Sequence, residues 1–189
     1  MTVVNAMVLK AVILGLVQGF TEFLPVSSSG HLVLFEQLLD FRLPGITFEI
    51  FVHFGTLVAV FIVYWDDLWS LMISLARLAG ALLTGSRALA ACWQDSYVRL
   101  AVFLLVGTLP AAVVGLTLRS QLERAFNSLT VVGLFWLLTA LLLVGLQNLR
   151  GGSRSRFELG VGAALGVGIF QSLAILPGLS RSGATIFGG

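Results

Sequence analysis

Charge is scarce in this chain of 189 residues: Asp, Glu, Lys and Arg make up 11% of it, where a soluble domain carries about 25%. So few charges cannot cover a water-facing surface, and a soluble globular fold is excluded. Cys92 is the only cysteine, which rules out an internal disulfide framework, and the two histidines have no cysteine partners at zinc-ligand spacing. Regular alternation of apolar and polar residues is also missing, which sets aside an outer-membrane barrel. The formal net charge of +2 comes from arginines scattered over short connections, so no nucleic-acid partner is expected.

What the chain has is hydrophobicity. Apolar residues make up 58% of it, in runs long enough for helices that cross a bilayer. The expected fold class is an all-α integral membrane protein, with the lipid bilayer as its first partner. Lys10 and the apolar stretch after it resemble a signal peptide, but Gln18 and Glu22 interrupt that stretch. The N-terminus is therefore expected to stay in the mature protein.

Val8 to Leu24 is apolar around Gln18 and Glu22, and Pro25 stops it before the turn Ser27-Ser28-Ser29-Gly30. Leu32 to Leu39 is too short to span, since a crossing helix needs about 20 residues. Residues 8–39 thus predict a re-entrant helix-turn-helix, with the serine turn at membrane depth. Spans are expected at Ile46–Tyr64, at Leu100–Leu118 with a kink at Pro110, and at Val131–Leu149. Between them lie Leu68–Leu83, interrupted by Arg77, and two polar connections, Thr84–Arg99 and Arg119–Thr130. Trp65 and Trp69 mark an interface.

The organisation that follows is a first repeat with central spans over 1–149, a basic linker over 150–158 and the start of a second repeat over 159–189. The linker carries Arg150, Arg154 and Arg156 and no acid, so it is expected to be cytoplasmic.

A pattern recurs. Gly15, Gln18, Ser27, Ser29 and Gly30 return as Gly168, Gln171, Ser180, Ser182 and Gly183, every pair 153 positions apart. Matching polar elements in two halves of a membrane chain point to one composite site at a repeat interface. With Arg77 keeping Leu68–Leu83 in the interface, three spans separate the turns and the repeat is inverted in topology. If that segment crosses, the repeat is parallel. After the second turn the chain stops at Gly189, short of the helix and span that the repeat predicts, so a fragment of a longer protein is expected.

Each polar residue has a structural alternative. Gln18 and Glu22 share a helix face at i, i+4 and could hold Mg²⁺ or Ca²⁺, which prefer oxygen ligands, or simply join helices. The serines could bind an anion at a helix N-terminus or cap the helix. His31 can move a proton near neutral pH or serve packing. Arg181 stands where Ser28 stands in the first copy, and at membrane depth it needs an anion: a phosphate, or an acid such as Glu22. Glu49 and His53 could line the same cavity. Gly15 and Gly19, like Gly162 and Gly166, have the spacing of helix-packing glycines.

Three stretches carry a resemblance: Gln18-Gly-Phe-Thr-Glu22-Phe-Leu-Pro25-Val-Ser-Ser-Ser-Gly-His31, Phe48-Glu49 through Gly55, and Pro177-Gly-Leu-Ser-Arg181-Ser-Gly-Ala-Thr185. Together they resemble the bacterial undecaprenyl-diphosphate phosphatase family, also called the bacitracin-resistance family. The resemblance implies removal of the terminal phosphate from a polyprenyl diphosphate, regenerating the lipid carrier of cell-wall precursors. It also implies two re-entrant hairpins in an inverted repeat, a site facing the outer side of the inner membrane, and a divalent cation.

Carried onto this chain, the acidic motif falls on Gln18 and Glu22, where Gln18 replaces an acid at a metal position. The serine-histidine motif falls on Ser27, Ser28 and His31. The arginine falls on Arg181, flanked by Ser180, Ser182 and Thr185. Glu22, Ser28, His31 and Arg181 are the expected catalytic group. Ser27, Ser29, Gly30, Ser180, Ser182, Gly183 and Thr185 are the expected diphosphate contacts. The nucleophile is Ser28, His31 or a water, with His31 otherwise a base or a leaving-group acid. A lipid-phosphate flippase or anion carrier on the same repeat is the rival reading. A homodimer is a further expected partner state.

Overall fold

The computed structural model describes residues 3–41, 47–147 and 160–188. The predicted linker, with Arg150, Arg154 and Arg156, lies outside them, as do the ends of two expected spans at Ile46 and Leu149. Helices α1 (Val3–Thr21) and α2 (Ser28–Leu38) form the first hairpin. Then come α3 (Thr47–Val63), α4 (Trp65–Thr84), α5 (Ser86–Cys92), α6 (Ser96–Thr117), α7 (Arg119–Phe126) and α8 (Leu129–Gln147). Helices α9 (Val161–Leu173) and α10 (Arg181–Gly188) form the second hairpin. No strand occurs among the described residues.

Two prolines set the hairpin turns. A proline ring collides with the carbonyl of the residue four positions earlier. Pro25 therefore ends α1 at Thr21, and Pro177 ends α9 at Leu173. Both helices stop short of the expected Leu24 and Leu176 for that reason. Helix α6 begins at Ser96, earlier than expected, because the Asp95 side chain caps it by accepting the Tyr97 amide at 2.8 Å. It continues through Pro110. The two polar connections are partly helical, as α5 and α7.

The chain is an all-α integral membrane protein. Helices α1, α4, α6 and α8 are long and apolar enough to cross a membrane, and large apolar side chains such as Leu83 and Leu116 point outward, as a hydrocarbon solvent requires. Helix α3 is apolar over 17 residues. Helix α4 meets the length and composition of a span although Arg77 lies in it, and Arg77 pairs with Asp95 at 3.4 Å.

Small residues set the closest helix contact. A methyl group on Gly168 of α9 would strike the Gly107 carbonyl of α6, and one on Gly107 would lie 3.0 Å from the Ala164 carbonyl. Backbones approach this closely in membranes because dispersion replaces the hydrophobic effect between helices. Of the four glycines expected at packing positions, Gly166 meets another element, the Gly188 carbonyl, while Gly15, Gly19 and Gly162 have open space beside them. Each hairpin has its own core: Leu14, Leu32 and Phe41 in the first, Ala174, Leu179 and Ala184 in the second. Helix α8 touches both α2 and α10, and so spans the two halves.

Candidate functional site

The repeat seen in the sequence is reproduced in hydrogen bonds. Ser27 Oγ accepts the Gly30 amide at 3.3 Å, and Ser180 Oγ accepts the Gly183 amide at 3.1 Å. Ser27 and Ser29 hydroxyls pair at 3.3 Å, Ser180 and Ser182 at 3.1 Å. Each turn is thus a serine-capped helix start. The copies differ in where the backbone is strained. Ser27 has φ 64°, a left-handed conformation costly to a residue with a side chain, whereas the second turn places its positive φ of 95° on Gly178.

The two turns meet. Ser182 Oγ donates to the Leu24 carbonyl at 3.0 Å, across 158 positions of sequence. A methyl group on Gly30 would lie 3.1 Å from Gly178 Cα and 2.7 Å from Trp136 Nε1, so the approach of the turns requires a glycine at position 30. Between the turns runs a narrow cleft of about 30 Å³ lined by Glu22, Ser27, Ser28, Ser29, His53, Ser180, Arg181 and Ser182. It adjoins a cavity of about 830 Å³ whose walls are largely apolar, with Leu32, Val33, Ile50, Phe54, Leu57 and Val60. Glu22, Ser29, His53, Ala174 and Arg181 border both spaces.

Glu22 is the hub. Its Oε2 accepts the Ser28 hydroxyl at 2.5 Å and the Gln18 amide at 2.8 Å, and lies 3.7 Å from His53 Nε2. The serine hydroxyl best placed to lose a proton is therefore Ser28, and its acceptor is Glu22 rather than His31. His31 turns elsewhere. Its Nδ1 bonds the Ser27 carbonyl at 2.8 Å and its ring packs on Trp136 at 5.0 Å; it borders neither the cleft nor the cavity. A carbonyl only accepts, so Nδ1 carries the hydrogen.

Arg181 opens α10 and is exposed to both spaces. Among the described residues its guanidinium forms no ion pair, so the salt bridge to Glu22 weighed from sequence is not made. The amides of Gly30 and Gly183 are taken by the serine caps, which leaves the amides of Ser28, Ser29, Arg181 and Ser182 as the open donors of the two helix starts. The Thr185 hydroxyl is turned onto its own helix, bonding the carbonyls of Arg181 at 2.9 Å and Ser182 at 3.1 Å.

Gln18 is fully buried, and its Oε1 has no partner. Among the described residues no three His, Cys, Asp or Glu side chains gather to hold an ion. One residue that sequence did not single out for the site is Thr139; His53, expected to share the cavity, borders both spaces. Thr139 lies in the apolar run of α8, where nothing local marks it. His53 was visible as one of an i, i+4 pair with Glu49; its Nδ1 bonds the Glu49 carbonyl at 2.7 Å.

Among the described residues of this helical membrane protein, two serine-glycine helix starts, an arginine without an ion pair and a serine-carboxylate pair surround one cleft. A family model described as bacitracin resistance protein BacA matches residues 11–189, and the chain belongs to that family. Similar curated proteins include the undecaprenyl-diphosphatase of Desulforapulum autotrophicum, 41% identical over 95% of this chain. That of Salinibacter ruber is 43% identical over 94%, and that of Rhodopirellula baltica 39% over 96%. The chain spans 65%, 64% and 62% of their respective lengths.

Proposed function

We propose that the protein hydrolyses undecaprenyl diphosphate, or a closely related polyprenyl diphosphate, to the monophosphate and inorganic phosphate. The observation that carries this reading is the junction of a polar cleft, bearing Ser28 against Glu22 and an unpaired Arg181, with a large apolar cavity. A diphosphate on an isoprenoid chain has that division of chemistry. The names of the curated relatives agree with it.

In this mechanism Arg181 and the open amides of both helix starts clamp the diphosphate, the arginine through its planar fork. Ser28 Oγ attacks the terminal phosphorus and passes its proton to Glu22 Oε2. The Oγ–P bond forms, the bridging P–O bond breaks, and the polyprenyl monophosphate leaves with the electron pair. Water then cleaves the phosphoserine, releasing inorganic phosphate and restoring the Ser28 hydroxyl. His31 holds the strained Ser27 turn through its carbonyl, with Nε2 left as a site for a proton.

The donors present suit a divalent cation. Gln18 Oε1 is buried without a partner, Glu22 is ionisable, and Mg²⁺ or Ca²⁺ takes oxygen ligands. Gln18 and Glu22 are the residues that would hold the ion, which would supply positive charge beside the phosphates. Chelation is expected to stop phosphate release and added Mg²⁺ or Ca²⁺ to restore it.

The repeat is read as inverted, with both hairpins re-entrant and the site opening to the outer side of the inner membrane. Helix α4 then lies along the interface. Its position as the least apolar of the four long helices supports this, as do Arg77 near its middle and the stacked Trp65 and Trp69. A homodimer is the expected assembly, read from the mass of the purified protein.

The test is phosphate release from undecaprenyl diphosphate by the full-length protein in detergent, where transport has no meaning. Steady release with a trappable phosphoserine at Ser28 is expected. Absence of release would return the site to an anion carrier.

A further inference from the structure

Helix α8 is the most apolar of the four long helices, and in sequence it is only a span. Thr139, 4% exposed, is its exception. Its Oγ1 donates to the Gly178 carbonyl at 2.8 Å and accepts the Ser180 amide at 3.0 Å. One hydroxyl thus serves two backbone groups of the second turn, the Gly178 carbonyl and the Ser180 amide. The turn needs this because Gly178 sits at φ 95°, a conformation that carries the chain away from helical bonding between α9 and α10. Buried backbone groups without partners are costly in an apolar setting, and no local partner for the Ser180 amide exists among the described residues.

The place of these bonds matters. Ser180 caps α10 through the Gly183 amide, and Arg181 is the first residue of that helix. The Thr139 hydroxyl therefore fixes the backbone on which Arg181 is mounted. One helical turn away on α8, Trp136 presses on Gly30 and His31 of the first turn. Both contacts come from one helix, so α8 engages the two turns within the three-residue interval from Trp136 to Thr139.

We propose that Thr139 is a positioning residue of the active site: its hydroxyl holds the second turn so that Arg181 faces Ser28 and Glu22 across the cleft. This rests on the hydrolase reading above, and the experiment separates the two. A displacement of a catalytic group by about 1 Å can cost about 100-fold in rate. In the full-length protein Thr139→Val, isosteric but without the hydroxyl, is expected to lower kcat for undecaprenyl diphosphate by about 10- to 100-fold per folded molecule, with KM changed much less. Thr139→Ser, which restores the hydroxyl, is expected to recover most of the rate.

Amide hydrogen exchange supplies a readout that needs no activity. Protection at Ser180 is expected to fall in Thr139→Val and to persist in Thr139→Ser, with the amides of α2 unchanged. Should the valine variant not fold, Thr139→Ala removes the hydroxyl without added bulk and is measured in its place. Unchanged kcat and unchanged Ser180 protection in the variant lacking the hydroxyl would overturn the proposal. If the parent protein releases no phosphate, the hydrolase reading fails, and loss of Ser180 protection still reports whether Thr139 positions the turn.

Discussion

Ser28 Oγ lies 2.5 Å from Glu22 Oε2, with the Gln18 amide on the same oxygen at 2.8 Å. In the proposed mechanism a hydroxyl bonded this closely to a carboxylate can pass its proton across as it attacks phosphorus, without rearrangement, while Gln18 holds the carboxylate still. Replacing Glu22 by Gln removes the acceptor but keeps the shape. The expected loss in kcat is about 100- to 10,000-fold, the usual scale for general base catalysis. Ser28→Ala is expected to abolish both turnover and the trapped phosphoenzyme. A phosphoenzyme found elsewhere, on His31 for instance, would reassign the nucleophile.

Arg181 is the one catalytic candidate whose charge is unpaired among the described residues, and its role as a clamp depends on geometry as well as charge. Arg181→Lys keeps the charge and loses the planar fork that binds two phosphate oxygens at once. It is expected to raise KM for the diphosphate by at least about tenfold. Arg181→Ala should lower kcat/KM by a further factor of about ten or more. Equal kinetics in Arg181→Lys and the parent would show that a point charge suffices.

The repeat was legible because its copies keep the residues that cap: Ser27 with Ser180, Gly30 with Gly183. These are local needs, written into local sequence. That Pro25 and Pro177 stop the two helices was legible too, but not that each helix ends four residues before its proline, at Thr21 and Leu173 rather than at Leu24 and Leu176. What sequence left open depends on contacts between distant segments. Nothing near His31 shows that its ring leans on Trp136, or that Glu22 is the group Ser28 meets. Thr139 reads as a neutral residue in a hydrophobic span, because the bonds it makes lie 39 and 41 positions away. The glycine contact that joins α6 to α9 uses Gly107 and Gly168, a pair with no shared periodicity to reveal it.

Glycine positions differ in what they tolerate. A methyl group at Gly178 would collide with the Val132 carbonyl and lie 3.0 Å from Phe135 Cβ, on a backbone at φ 95°. Strain and overlap together are expected to cost about 2 kcal/mol or more in Gly178→Ala, seen as a lowered unfolding midpoint and reduced recovery in detergent. Gly80, within α4, has open space around it. Gly80→Ala there is expected to be neutral or to stabilise by about 0.5–1 kcal/mol, the helix preference of alanine. Similar midpoints for the two variants would mean that the Gly178 turn yields more readily than its contacts imply.

The direction of the hairpins can be read with thiol chemistry. Three membrane crossings between the turns place Asp40, at the end of the first hairpin, on the opposite face from the basic linker. Four crossings, with α4 included, place them on the same face. Cys92 is the only cysteine of residues 1–189, so Cys92→Ser, with any cysteine beyond residue 189 replaced in the same way, gives a blank background. Single cysteines at Asp40 and at Ser153 are then treated in intact cells with a reagent that does not pass the inner membrane. The inverted reading expects Asp40→Cys to react and Ser153→Cys to be silent until the membrane is opened. Silence at both positions would make α4 a crossing helix despite Arg77, pair the hairpins in parallel, and turn the Arg77–Asp95 contact at 3.4 Å into the feature that carries a charge through the bilayer.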